Sequence, residues 1–189
     1  MAEEKLKFAV LGYGSIGKRH AVNLRLLGYE VDWYDPSPEY DCNPRQKVIE
    51  DADAVLVCTP TGNHLQDMID VIDHGKHCFI EKPIAYDRPD LVDFFIQKAR
   101  FRWLDRVSIT IGFNLRFHEC VAKTKAILND HGLGEILTAS FSVLQKNDKP
   151  EYLRDGVIRN WACHEIDLAM YLLGRMKVVE AEAENNVAR

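Results

Sequence analysis

The stretch Leu6-Lys7-Phe8-Ala9-Val10-Leu11-Gly12-Tyr13-Gly14-Ser15-Ile16-Gly17-Lys18-Arg19-His20 decides the fold. Phe8 to Leu11 is an apolar run of strand length, and Ile16, Ala21, Leu24 and Leu27 recur at helical spacing until Gly28 ends the pattern. Between strand and helix lies a GxGxxG turn. Gly12 permits the tight turn, Gly14 lets the backbone approach a pyrophosphate without a Cβ in the way, and Gly17 lets the helix pack closely on its strand. The N–H groups of the helix start, at Ser15 and Ile16, then face the anion. Such a motif is weak by itself, and its place between an apolar strand and a helix makes it informative.

Working outward, the next strand reads as Glu30-Val31-Asp32-Trp33-Tyr34 and closes on Asp35, at about the 20-residue distance expected of a ribose-binding acid. A carboxylate there accepts both hydroxyls of an adenine ribose and repels a 2′-phosphate. The expected cofactor is therefore NAD, with NADP left open because Ser37 can bond a phosphate. The structural alternative for Asp35 is a turn residue before Pro36.

Composition narrows the class. The chain has 189 residues, of which 47% are hydrophobic, enough for one core and part of a second. Its apolar runs fall well short of the about 18 residues that span a bilayer, and the N-terminus lacks the layout of an export signal, so no membrane partner is expected. Twenty-nine acids against 24 Lys and Arg give a charge of −5, with the bases scattered, which argues against nucleic acid as a partner. Cys42, Cys58, Cys78, Cys120 and Cys163 form an odd set with no CxxC pair. They point to a reducing cytoplasm without disulfides.

The coarse pattern after Asp35 is a turn-rich stretch, a buried strand at Ala54 to Cys58, a helix from about Gly62 to His74, a strand at His77 to Glu81, a helix capped by Asp87, and a strand at Val107 to Phe113. Only one short element fits between Asp35 and Ala54, where a doubly wound half-sheet normally has a helix and a strand. The expected fold class is α/β, an N-terminal Rossmann doubly wound parallel sheet over residues 1–117. Residues 118–189 read as a truncated α+β domain with a partial antiparallel sheet. Its elements are a helix from His118 to about Asn129, alternating strands at Ile136 to Leu144 and Val178 to Val187, and a helix from Trp161 to Leu173.

Candidate chemistry gathers at the carboxyl ends of the parallel strands, where ligands bind in open α/β sheets. In Glu81-Lys82-Pro83, Lys82 is a candidate acid or base for a substrate hydroxyl, Glu81 can orient its amine, and Pro83 can lock the turn through a cis bond. The bland reading of Lys82 is a solvated surface residue. Thr59, Pro60 and His64 are candidates for lining the cofactor. Their alternative is a helix-capping turn with Thr61 as the cap, and for His64 a capping or packing role. Arg116 can grip a carboxylate or phosphate on the substrate, or pair with a neighbouring acid and only hold the domain junction. Asn160, His164 and Asp167 share a helix face, with His164 able to relay a proton. Their alternative is a capping His with a solvated Asp. No spacing supports a metal site.

In order, LGYGSIGKRH, CTPTGNH, HGKHCFIEKPIA, GFNLRFHE, LGEI and NWACHEIDLAMYLLG resemble the glucose-fructose oxidoreductase, inositol dehydrogenase and rhizopine-catabolism (Gfo/Idh/MocA) family over nearly the whole chain. The resemblance implies an NAD(P)-dependent dehydrogenase or reductase acting on a sugar, sugar nucleotide or cyclitol. It further implies that Lys82 is the acid/base residue, that His164 is its partner across the substrate, and that the Lys82–Pro83 bond is cis. Two departures stand out. Asn160 replaces an aspartate usual in the family and cannot ionise, and the second domain holds material for about two strands of a larger sheet. The expectation is that copies associate as a homo-oligomer through this sheet or that the chain is a truncation. The alternative function is a dinucleotide-binding protein without turnover.

Overall fold

The computed structural model describes residues 5–85, 93, 107–130, 133–144 and 162–180. The chain divides into two units, Met1–Phe113 and Asn114–Arg189.

In the first unit, β1 (Lys7–Leu11), β2 (Glu30–Tyr34), β3 (Ala54–Val57), β4 (His77–Ile80) and β5 (Ile109–Ile111) form one sheet in the order β2-β1-β3-β4-β5. Every pairing is parallel, with Leu11 opposite Tyr34 and Val57, and Val57 opposite Ile80. Parallel strands need crossovers, supplied by α1 (Ser15–Leu26), α2 (Arg45–Glu50) and α3 (Thr61–Asp73). The six residues of α2 are the single regular element between β2 and β3. Chain connection reverses direction between β1 and β3, and ligands bind above such a switch point.

Two apolar layers explain why the strands read as continuous hydrophobic runs. Ala9, Leu11, Val55, Val57, Cys78 and Ile80 face one side with Val48 and Ile49 of α2 and Met68, Val71 and Ile72 of α3. Val10 and Leu56 face the other side with Ala21 of α1. Helix stops follow the glycine rule: Gly28, Gly75 and, in the second unit, Gly174 take positive φ just past their helices. Thr61, the cap of α3 in the alternative capping-turn reading, is instead its first residue, with Pro60 at the N-cap position and no side-chain cap. The pre-set φ of proline suits a helix start, and it leaves no hydroxyl to bond an N–H.

In the second unit a short 3₁₀ turn (Asn114–Phe117) leads into α4 (Glu119–Asn129), whose N-cap His118 accepts from the Cys120 N–H, and α5 (Cys163–Leu173) ends at Gly174. The strands expected at Ile136–Leu144 and Val178–Val187 do not form among the described residues: 136–144 and 178–180 carry no strand. An extended segment becomes a strand only when a neighbour takes its N–H and C=O groups, and no described segment does so here. Leu137, Leu144, Val178 and Val179 are accordingly exposed. The Asp87 cap and most of the helix after it lie outside the described residues, as do Trp161 and 181–187. No helix among the described residues is long and apolar enough to cross a membrane.

Candidate active site

The parallel ladder extends one residue past several strands and lines up the site along the carboxyl edge. Gly12 N–H donates to Tyr34 O (2.8 Å), Cys58 N–H to Leu11 O (2.8 Å), Glu81 N–H to Val57 O (3.0 Å) and Gly112 N–H to Ile80 O (2.8 Å). The glycine turn, the Thr59-Pro60 loop and the Glu81-Lys82-Pro83 turn are thus neighbours in register.

The three glycines differ in what they do. Gly12 has φ +86°, and a Cβ on it would lie 2.7 Å from the Cys58 carbonyl carbon. A Cβ on Gly17 would lie 1.9 Å from Gly12 O, so α1 packs on the turn at backbone contact. Gly14 has nothing within 4 Å of where a Cβ would be. Its lack of a side chain serves no packing purpose, and it keeps open the space above the α1 N-terminus, which suits a pyrophosphate. Ser15 and Ile16 open that helix.

Asp35 is anchored by two backbone donors, Tyr13 N–H (2.7 Å) and Ser37 N–H (2.9 Å). Of the two readings of this residue, the turn role is the one these bonds show, and they leave room for the other. Asp35 organises the turn, and a carboxylate with two bonds accepted retains lone pairs for ribose hydroxyls. Beside it, Tyr13 stacks on Trp33 at 4.7 Å between ring centroids, Tyr40 stands edge-on to Tyr13 at 5.7 Å, and the Lys18 ammonium lies 4.9 Å over the Tyr40 ring. The residues present therefore fit a dinucleotide: an open glycine turn, a helix start and an oriented carboxylate.

At the other end of the site, the Lys82–Pro83 bond is cis. Glu81 turns its carboxylate to His20 of α1, with Oε1 2.8 Å from Nε2. His20 is a site residue that the sequence reading missed. Its position three residues after Gly17, on the helix face toward the sheet, was the available signal. The Thr59 hydroxyl donates to Asp67 Oδ2 (2.6 Å). Arg45 pairs with the same carboxylate at 2.7 Å. His64 is buried, and its ring nitrogens lie 2.7 Å from Thr59 O and 2.7 Å from Pro83 O. Its ring is thus engaged by the two loops rather than turned to a ligand. Burial, with a smaller push from Glu81, raises the Cys58 thiol to about 12, so it stays protonated and unreactive.

In the second unit, His164 sits in the first turn of α5, and Asp167, one turn on, is buried. Arg116 grips Asp167 with two donors, Nε at 2.8 Å and Nη2 closer still. The guanidinium also lies 5.1 Å over the Tyr171 ring. Of the two roles open to Arg116, the acid pairing is the one present, and the solvated Asp167 is corrected to a buried, paired one. Asn160 lies outside the described residues.

A parallel sheet of this order with an open glycine turn and a ribose-type carboxylate defines a nucleotide-binding Rossmann protein. Residues 32–99 match a family model described as "Oxidoreductase family, NAD-binding Rossmann fold", and residues 121–189 match the "GFO/IDH/MocA C-terminal domain". The chain belongs to the Gfo/Idh/MocA oxidoreductase family. It is 28% identical over 193 residues to an inositol 2-dehydrogenase of Rhizobium meliloti, covering 92% of this chain and 56% of that protein. It is 31% identical over 187 residues to an inositol 2-dehydrogenase of Gluconacetobacter diazotrophicus, covering 89% and 54%. Its fold matches the crystal structure of apo scyllo-inositol dehydrogenase from Lactobacillus casei with a TM-score of 0.69 at 22% identity, over 92% of this chain and 56% of that one. The chain spans a little over half the length of the relatives it matches.

Proposed function

We propose that this chain is an NAD-dependent oxidoreductase acting on a CH–OH group of a cyclitol, sugar or sugar nucleotide. The observation that carries the reading is that the glycine turn and the Lys82 turn lie on the carboxyl edge of one sheet, at the ends of β1 and β4, both of which border β3. That separation is about 10 Å between strands, the reach of a nicotinamide nucleotide laid across the switch point. The names of the relatives support a cyclitol.

Gly12, Gly14, Ser15, Ile16 and Gly17 would hold the diphosphate, Asp35 the adenine ribose, and Thr59, Pro60 and the Glu81-Lys82 turn the nicotinamide half. When bound, NAD supplies a hydride acceptor. The protein's own task is to place the substrate and take the hydroxyl proton, which we assign to Lys82 Nζ. Glu81, tied to His20, holds that turn in place. His164 is assigned to the substrate hydroxyls, with Asn160 as a hydrogen-bonding and non-ionising companion. Arg116 holds the helix that carries His164. A homo-oligomer formed through the second unit is supported by the exposed Leu137, Leu144, Val178 and Val179. A reducing, cytoplasmic setting is supported by five cysteines with no CxxC pair among them.

The test is NADH absorbance against a panel of inositols, sugars and sugar nucleotides, with calorimetry of NAD binding alongside. Turnover that is lost in Lys82→Ala while NAD affinity stays near that of the parent supports the reading. NAD binding with no turnover on any polyol selects a binding protein instead, and joint loss of affinity and turnover in Lys82→Ala makes Lys82 structural.

A further inference from the structure

His64 is 2% exposed, and each of its ring nitrogens faces a backbone carbonyl at hydrogen-bond distance: Nδ1 to Pro83 O and Nε2 to Thr59 O, both 2.7 Å. A carbonyl oxygen only accepts. A neutral imidazole has one N–H and one bare nitrogen, so it can satisfy one of these carbonyls and would set a lone pair against the other. Two carbonyl partners require two protons on the ring.

We propose that His64 is a positioning residue for Lys82: a buried, doubly protonated ring that clasps the loop after β3 to the turn after β4 and so sets where the Lys82 amine stands on the cofactor edge. This rests on the function proposed above. The clasp joins the two loops that the proposed nicotinamide half needs, and the Pro83 carbonyl it holds belongs to the residue next to Lys82.

Thr59 serves two masters, its carbonyl accepting from His64 and its hydroxyl donating to Asp67 Oδ2 at 2.6 Å. Asp67, on the same helix as His64, thus holds the side chain of the residue whose carbonyl His64 holds. A buried polar ring is tolerated when its nitrogens are hydrogen-bonded, and both His64 nitrogens face a carbonyl here. Other charged or titratable groups on the surrounding elements, among the described residues, include Arg45 of α2, paired with Asp67 at 2.7 Å and with Asp70 of α3 at 2.8 Å, Asp73 of α3, His77 of β4, Glu81 and Lys82 on the clasped turn, and the thiols of Cys58 and Cys78. Both thiols are held neutral by burial.

The first test needs no turnover. Nitrogen-15 NMR of the histidine-labelled chain at neutral pH should show both His64 ring nitrogens bearing slowly exchanging protons. A single protonated nitrogen overturns the proposal. The second compares His64→Gln, which keeps a donor amide, with His64→Leu, which keeps none. In His64→Leu, amide exchange at Glu81 and Lys82 should rise about tenfold or more while β1 amides keep their protection. On a substrate that the parent turns over, kcat should fall by about 10- to 100-fold, the scale of a misplaced group, with NAD affinity within about twofold of the parent and partial rescue in His64→Gln. Unchanged exchange at Lys82 overturns the clasp. Loss of NAD affinity in proportion to kcat makes His64 a cofactor ligand instead. Absence of turnover in the parent would count against the enzymatic reading, and the NMR and exchange results would still decide the clasp.

Discussion

His20 Nε2 lies 2.8 Å from Glu81 Oε1, joining the helix that follows the glycine turn to the residue that precedes Lys82. The His20 ring also meets Phe79 edge-on at 5.3 Å, which leaves it little freedom to turn away. The two halves of the proposed site are thereby mechanically coupled through side chains as well as through the sheet.

That coupling is measurable. In a double-mutant cycle of His20→Ala and Glu81→Ala, read by urea denaturation, the pair should show an interaction of about 1 kcal/mol, since both groups are less than one-third exposed. Strict additivity of the two substitutions would remove the link.

Gly17 and Gly14 should respond oppositely to substitution. Gly17→Ala places a carbon 1.9 Å from Gly12 O, and the helix must move off the turn. We expect destabilisation of about 2 kcal/mol or more, visible in the thermal midpoint. The Cβ of Gly14→Val would meet nothing within 4 Å apart from its chain neighbours. The variant should keep the thermal midpoint and lower NAD affinity at least tenfold by calorimetry. Unaltered affinity would sink the pyrophosphate cradle.

Arg116→Ala should destabilise the second unit by about 2–3 kcal/mol, because it leaves the Asp167 carboxylate buried with its two-donor partner gone. Asp167→Asn in the same background should recover part of the loss by removing the stranded charge. A thermal melt of each variant decides this, and an Arg116→Ala variant as stable as the parent would show the pair to be idle.

Two thiols make the stability depend on alkaline pH. Burial lifts Cys58 and Cys78 from an ordinary 9.0 to about 12 in the folded chain. Both states hold the proton below about pH 9. Above it the unfolded chain releases protons that the folded chain retains, so stability falls as pH rises between 9.0 and about 12, by up to about 1.4 kcal/mol per pH unit per thiol. The Cys58→Ala, Cys78→Ala double variant should show a shallower loss of urea midpoint over that window. At neutral pH a thiol reagent should reach the exposed Cys120 and spare Cys58 and Cys78 until the chain unfolds. Rapid labelling of either under native conditions would contradict the burial argument.

The elements that local spacing governs were legible along the chain. β2 spans Glu30–Tyr34 as alternation and its flanking turns require, and α1 and α3 stop at Gly28 and Gly75 because those positions adopt positive φ. The glycine turn, Asp35 and the Lys82 turn could be read because each sits at a strand end, and strand ends are set by runs of a few residues. The strand expected at Ile136–Leu144 does not form among the described residues for the complementary reason. Alternation reports that a segment can lie on a sheet, and a partner must still accept its hydrogen bonds.

What spacing could not supply are the contacts across the chain. His20 and Glu81 are 61 positions apart, Arg116 and Asp167 are 51 apart, and His64 reaches Pro83 across 19. Linear order carries no information about such pairs until the sheet order β2-β1-β3-β4-β5 and its register bring them together. That order follows from burying both faces of the sheet at once, a cooperative property of all the layers. Residue type announced the chemistry, and packing decided which partner each group would meet.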